Sequence, residues 1–335
     1  MKRALVDMIN QHLLRGKDAR LVRASQLYPW QIEATAAPLP AAPLPADAQA
    51  YLTPDNPRLA ELRERYGRCD PAVTNPLVWV DTIVTQDNLK FFRGDNAFVY
   101  QLRGPQYSEL GYALTTHYTR SAPEAPLFAR LSEDGAFGVH ALEVAGRLVS
   151  RDALDSAREI AFLQRHVMPR EGPLRVLDIG AGYGRLPHRL TEALGDEVRA
   201  YATDAFPTSS FLAEFYLRYR RCPAEVILLD DFESFLTATP IDVAVNVHSF
   251  SECTVDAIEW WISRLARAGV PNLMIIPNDR VYEALTICHT NDGRDMEAIF
   301  ARHGYAPAVR EFRYSDPLVQ RYGIDPAQLT LFRLG

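Results

Sequence analysis

The residues with the clearest chemical purpose lie in VLDIGAGYGRL (176–186), where an apolar run passes into Gly180, Gly182 and Gly184 and then into the helical pattern LPHRLTEAL. Glycine tolerates positive φ and removes side chains that would hold a ligand off the backbone, while a helix start offers unpaired N–H groups. The spacing is G-x-G-x-G. It is neither the dinucleotide fingerprint G-x-G-x-x-G nor a phosphate loop, which would end in G-K-[ST]. Asp178, two residues before the first glycine, would repel a pyrophosphate and attract a cation. S-Adenosylmethionine (SAM) carries an ammonium and a sulfonium, so the loop suits this methyl donor better than NAD. Asp204 closes the next apolar run and can accept from both hydroxyls of a ribose, which would serve NAD equally. Asp230 and Asp231 close the third run. They are candidates to accept from an adenine amino group, the alternative being a solvated helix cap before FESFL. Ala181, Tyr183, Ala205 and Asn246 complete the residues expected around the cofactor.

These side chains need a frame. The runs RVLDIG (175–180), VRAYATD (198–204), AEVILLD (224–230), IDVAVNV (241–247) and NLMIIP (272–277) alternate with helical stretches, the pattern of a doubly wound parallel sheet in an α/β fold. Ligands on such sheets bind at the carboxyl ends of the strands, where Asp178 and Asp204 fall. Two later runs, AVREFRY (308–314) and QLTLFRL (328–334), have no crossover helix between them and predict an antiparallel terminal hairpin. Upstream, the chain divides into a helical segment (1–33), an Ala/Pro-rich connector (34–55) and an α+β cap region (56–150) before the main domain (151–335). Apolar residues at helical spacing predict a helix over Arg3–Leu14. Asn56-Pro57 opens another that runs through Tyr66, and Ser150 or Asp152 caps the one leading into the main domain.

Composition narrows the function classes. The 335 residues carry a net charge of −6 and no long block of Lys or Arg, which argues against an electrostatic grip on nucleic acid or an anionic membrane. Cys69, Cys222, Cys253 and Cys288 are scattered, with no C-x-x-C pair, as suits reduced thiols in a cytoplasmic protein. No run approaches the ~20 apolar residues of a spanning helix, and the opening residues lack the apolar core of a signal peptide. The expected partner is a small molecule, and a homo-oligomer is compatible with the sequence.

The combination of VLDIGAGYGR with FFRGDNAFVYQ (91–101), VSRDALDSAREIAFL (149–163), TDAFPTSSFLAEFYLR (203–218), NVHSFSEC (246–253) and QRYGIDP (320–326) resembles the sugar O-methyltransferase family within the class I SAM-dependent methyltransferases. The resemblance covers the chain from about Leu77 onward. It implies a Rossmann-like seven-stranded sheet whose last strand is antiparallel, an amino-terminal third that helps close an acceptor pocket, and methyl transfer to a sugar hydroxyl. Some members position two hydroxyls with a divalent metal. Glu252 and Asp279 occupy comparable places, but Asn278 stands where a second carboxylate would strengthen a site for a hard cation, so a metal is the less favoured option.

Methyl transfer to oxygen needs an aligned acceptor and a base for its proton. His248, after the fourth strand, is the candidate base; the alternative is a strand cap bonded to backbone. Glu252, four residues on, is the candidate to orient it or to contact the acceptor. Arg93 and Asp95 of FRGDNA are candidates for paired hydrogen bonds to a polyhydroxylated acceptor, or else form a turn. Tyr118, beside His117, is a further acceptor candidate whose alternative is exposed surface. Trp260 and Trp261 read as core, and no base is dedicated to Cys253. The rival readings are methylation of nitrogen or of a nonsugar hydroxyl, SAM binding without turnover, and NAD-dependent oxidoreduction.

Overall fold

The computed structural model describes residues 5–6, 8–14, 21, 42–75, 78–94, 96, 109–168, 171–278, 288–324 and 327–335. Asp95, Asp279 and residues 34–41 of the Ala/Pro-rich connector lie outside them. Within the expected first helix, Ile9–Leu13 forms a single π-helical turn with Leu5, Met8 and Leu13 exposed. The end of the expected connector is helical: with Pro45 just ahead of it and no proline inside, Ala46–Tyr51 forms α1. Helix α2 spans Pro57–Tyr66 and starts where the Asn-Pro pair predicts, the Asn56 side chain accepting from the Arg58 N–H at 2.8 Å. Leu59, Leu62 and Tyr66 of α2 are buried against Phe211 and Phe215.

Helix α3 (Glu109–Ser121) and a hairpin of β1 (Ala141–Val144) with β2 (Arg147–Ser150) lead to α4 (Arg151–His166). The cap of α4 is Ser150, whose Oγ accepts from the Ala153 N–H at 3.2 Å; Asp152 turns inward instead. Asp152, Asp155 and Glu159 recur at i, i+3 and i+7, so all three carboxylates leave the same face of α4, and all three are buried. Buried carboxylates require partners, and arginines supply them. Asp152 takes Arg93 at 2.9 Å and Arg189 at 2.8 Å, while Glu159 takes Arg185 at 2.7 Å and Arg313 at 3.1 Å.

The main sheet consists of β3 (Leu174–Ile179), β4 (Val198–Thr203), β5 (Glu225–Val226), β6 (Val243–Val247), β7 (Asn272–Ile276), β8 (Tyr305–Phe312) and β9 (Gln328–Leu334). Their order is β5-β4-β3-β6-β7-β9-β8, with β3 to β7 parallel and β9 running antiparallel between β7 and β8. The predicted seven-stranded mixed sheet is therefore present. Period-two burial explains its two covered faces. Leu177, Ile179, Ala244 and Leu273 join the core beneath α6 (Pro207–Tyr219) and α7 (Val255–Arg267). Val176, Val243, Val245 and Met274 face α4 and α5 (Arg185–Leu194). One strand is shorter than expected. After Val226 the chain bends into a 3₁₀ turn at Leu229–Asp231, because the Leu229 N–H donates to the Tyr66 hydroxyl at 3.2 Å and Arg65 draws Asp230 and Asp231 toward α2.

Candidate functional site

A cavity of about 820 Å³ opens at the carboxyl ends of β3, β4 and β6. Asp178 sits on its wall, only 4 % exposed, and its carboxylate has no hydrogen-bond partner among the described residues. Burial pushes this carboxyl up to about 8, helped by the nearby charges of Glu159 and Asp204 and opposed by Arg185. The loop beyond it is shaped by glycine. Gly180 has φ +69°, and a Cβ there would lie 2.0 Å from the Ser249 Oγ, so the β3 and β6 loops approach too closely for any other residue. At Gly182, φ is +57° and a Cβ would meet nothing within 4 Å, which leaves backbone open toward the cavity.

Asp204 anchors the loop: its Oδ2 accepts from the Gly182 N–H at 3.0 Å and its Oδ1 from the Phe206 N–H at 2.9 Å. Burial raises this carboxyl to about 6 against the pull of those two bonds and of the Ser209 hydroxyl and the Ala205 N–H. Ala181, Tyr183 and Ala205 also line the cavity, the Tyr183 hydroxyl donating to Asp152 Oδ2 at 3.2 Å.

His248 and Glu252 lie on the same wall. His248 adopts φ +66° and ψ −34°, a strained backbone for a non-glycine residue. Its N–H donates to the Ile276 carbonyl at 2.7 Å, and its Nδ1 lies 3.2 Å from the Pro277 carbonyl oxygen. A carbonyl can only accept, so Nδ1 carries a proton in this arrangement, and in the neutral ring the lone pair is then on Nε2. Both Glu252 oxygens accept from neutral donors, Trp79 Nε1 at 2.7 Å and Asn278 Nδ2 at 3.0 Å, and burial raises the Glu252 carboxyl above its usual range. N–H groups pointing at both oxygens do not suit a hard cation, and among the described residues no three His, Cys, Asp or Glu could hold a metal ion. Burial pushes the Cys253 thiol up to about 12, which leaves it unreactive.

Other candidates fall elsewhere. Arg93 is fully buried and off the cavity wall, where Glu133 (2.7 Å) and Asp152 (2.9 Å) hold its guanidinium; Asp95 lies outside the described residues. Arg93 and Arg189 hold the Asp152 carboxyl well below the usual carboxylate range, although burial alone would raise it. Tyr118 donates to or accepts from Ser315 at 2.8 Å and packs edge-on against Tyr314, away from the cavity. Asp230 and Asp231 also lie off the cavity wall: Arg65 forks onto Asp230 at 2.7 and 2.8 Å and reaches Asp231 at 3.0 Å, tying α2 to the sheet. Asn246 is a staple rather than a wall residue, donating to the Ile179 carbonyl at 2.7 Å and accepting from the Phe250 N–H at 2.8 Å. Trp260 and Trp261 are core, and Trp261 also reaches the cavity.

Several wall residues went unread in the sequence. Arg63, Tyr66 and Trp79 come from the amino-terminal region, and Arg151 and Asp155 from α4. The acidic stripe on α4 was the available signal for Asp155; an isolated indole such as Trp79 leaves none. No helix among the described residues is long and apolar enough to cross a membrane.

No family model matches the sequence, and no curated protein matches it. Among solved structures, the magnesium protoporphyrin IX methyltransferase of Synechocystis PCC 6803 with bound SAM shares 14% identity over 66% of this chain and 96% of its own, with a TM-score of 0.37. A SAM-dependent methyltransferase from Aquifex aeolicus shares 16% over 56% and 94%, with a TM-score of 0.39. The [4+2]-cyclase SpnF shares 13% over 66% and 95%, with a TM-score of 0.40. The strand order and the cavity described above, rather than these likenesses, carry the functional argument.

Proposed function

We propose that the chain is a SAM-dependent O-methyltransferase whose acceptor is a sugar or glycosylated small molecule. The observation that carries the cofactor assignment is Asp178, a buried carboxylate without a partner on the wall of a cavity beside backbone laid bare by glycine. An arriving ammonium favours the carboxylate form of Asp178 and gives it a counter-charge, which a diphosphate cannot do. Asp204, on the same wall, is the acceptor for a ribose diol in this reading, and Phe206, Leu212, Ala257 and Trp261 offer apolar surface for a base. In place of Asp230 and Asp231, this reading gives the adenine an apolar slot.

The bound donor would supply a methyl group on a sulfonium. The chain's own part is to align the acceptor and to take its proton. His248 presents the Nε2 lone pair on the same wall, with Glu252, Asn278 and Trp79 next to it as hydrogen-bonding and stacking surface for a polyhydroxylated ring. Calorimetric titration with S-adenosylhomocysteine and with NADH tests the cofactor half; tighter binding of NADH overturns it. Labelled methyl transfer to a panel of hydroxylated acceptors tests the reaction. His248→Ala should bind S-adenosylhomocysteine normally and lose turnover, and unchanged turnover removes His248 as base.

A further inference from the structure

The buried charges of α4 form a chain that begins at the glycine loop and ends at His248. Arg185, immediately after Gly184, pairs with Glu159 at 2.7 Å. The other Glu159 oxygen lies 3.1 Å from Arg313, which also reaches Asp155 at 3.1 Å. Asp155 in turn accepts from Arg151 Nε at 3.0 Å, and Arg151 Nη2 lies 3.5 Å from His248 Nε2. Glu159 and Arg313 are fully buried, so the middle of the chain is shielded from solvent screening.

A guanidinium has only donors and keeps its charge throughout the working pH range. The ring nitrogen that faces it must therefore be the one carrying the lone pair, and the Pro277 carbonyl at Nδ1 requires the same tautomer from the other side. We propose that Arg151 is a positioning residue for His248: locked by Asp155, it holds the ring as the Nδ1–H tautomer and opposes a second proton on Nε2. The proposal rests on the reading of His248 as the base. Among the described residues, Glu159 from α4 and Glu252 from the segment that follows β6 also act on the ring, and both favour the imidazolium. Arg151 counters them, so that Nε2 keeps its lone pair when an acceptor hydroxyl arrives.

The test uses the full chain labelled with ¹⁵N-histidine and saturated with S-adenosylhomocysteine. Long-range ¹H–¹⁵N spectra report tautomer and titration midpoint, and His248→Gln assigns the signal. The expected spectrum is that of the Nδ1–H tautomer. Arg151→Met should move the midpoint up by about one pH unit, and Arg151→Lys, which keeps a cation, should restore most of the shift. An Nε2–H tautomer, or an unmoved midpoint in folded Arg151→Met, overturns the proposal. In turnover, the acid limb of kcat/KM should rise by the same amount in Arg151→Met; a uniform drop at every pH also overturns it. If the wild-type protein methylates no acceptor, the methyltransferase reading fails, and the spectra still decide the tautomer.

Discussion

Replacing Asp178 with asparagine isolates the electrostatic element of the site. Burial pushes the Asp178 carboxyl up to about 8 in the ligand-free protein, so it is mostly protonated at pH 7. An arriving ammonium favours the carboxylate, and a buried, hydrogen-bonded pair of this kind is worth about 3–5 kcal/mol against leaving one charge alone. Removing the proton at pH 7 costs about 1.4 kcal/mol of that, one unit below the raised value. The remainder, about 1.6–3.6 kcal/mol, predicts S-adenosylhomocysteine binding roughly 15- to 450-fold weaker in the Asp178→Asn variant.

The pH dependence has a definite sign. The wild-type complex holds the carboxylate and the ligand-free protein holds the acid, so affinity rises from pH 6 to about 8, where the α-amine of the ligand begins to titrate. The variant has no such rise. Calorimetry in phosphate and in Tris, whose ionisation enthalpies differ, should report close to one proton released per ligand bound by the wild type and almost none by the variant. A wild-type affinity that is flat between pH 6 and 8, or equal affinities for the two proteins, refutes the reasoning. Stability moves the other way. Between the ordinary carboxyl value of 3.8 and about 8 the folded state binds the extra proton, so the ligand-free protein loses stability as pH rises through that window. At pH 7 the loss amounts to about 3–5 kcal/mol. The Asp178→Asn substitution avoids it, and the ligand-free variant should melt at a higher temperature than the wild type.

Asp230→Asn should change S-adenosylhomocysteine affinity less than about threefold and stability by no more than ~1 kcal/mol, because its ion pair with Arg65 is partly exposed and off the cavity wall; a tenfold loss of affinity would restore the adenine contact. Arg93→Met leaves Glu133 and Asp152 short of a buried counter-charge and should cost about 3–5 kcal/mol in urea unfolding. Lost turnover with unchanged stability would return Arg93 to the acceptor site. Gly180→Ala should weaken cofactor binding at least tenfold and destabilise the fold by about 2–4 kcal/mol, since its Cβ collides with Ser249 at positive φ. Adding Ser249→Gly should recover part of that stability, and no recovery would show that φ alone is responsible.

Local signals made the frame legible. Asn56-Pro57 fixes the start of α2 because cap and first-turn chemistry are adjacent in sequence, and the period-two burial of β3, β6 and β7 follows from runs that need no distant partner. The glycine loop and Asp178 were readable for the same reason. Arg93 was not: FRGDNA looks like a polar turn, and what buries the guanidinium lies 40 and 59 residues away at Glu133 and Asp152. Asp230 and Asp231 end an apolar run as a ligand-binding acid would, yet the Arg65 that claims them stands 165 residues upstream of Asp230. Trp79 reaches Glu252 across 173 residues, a pairing that only the folded chain can reveal. The stripe of Asp152, Asp155 and Glu159 was visible as spacing, but its meaning depended on arginines from three separate parts of the chain.

Glu133, upstream of the β1–β2 hairpin, and Asp152, on α4, share both Arg93 and Arg189. A chimera joined at residue 150, in the hope of transplanting a new acceptor preference, would therefore take Glu133 from Arg189 and Arg93 from Asp152 unless positions 93, 133, 152 and 189 travelled as one set. Diversification of such a protein by recombination is hindered at that junction. Change by single steps at wall positions such as Trp79 and Asn278 leaves the shared charges intact and is the open route to altered selectivity.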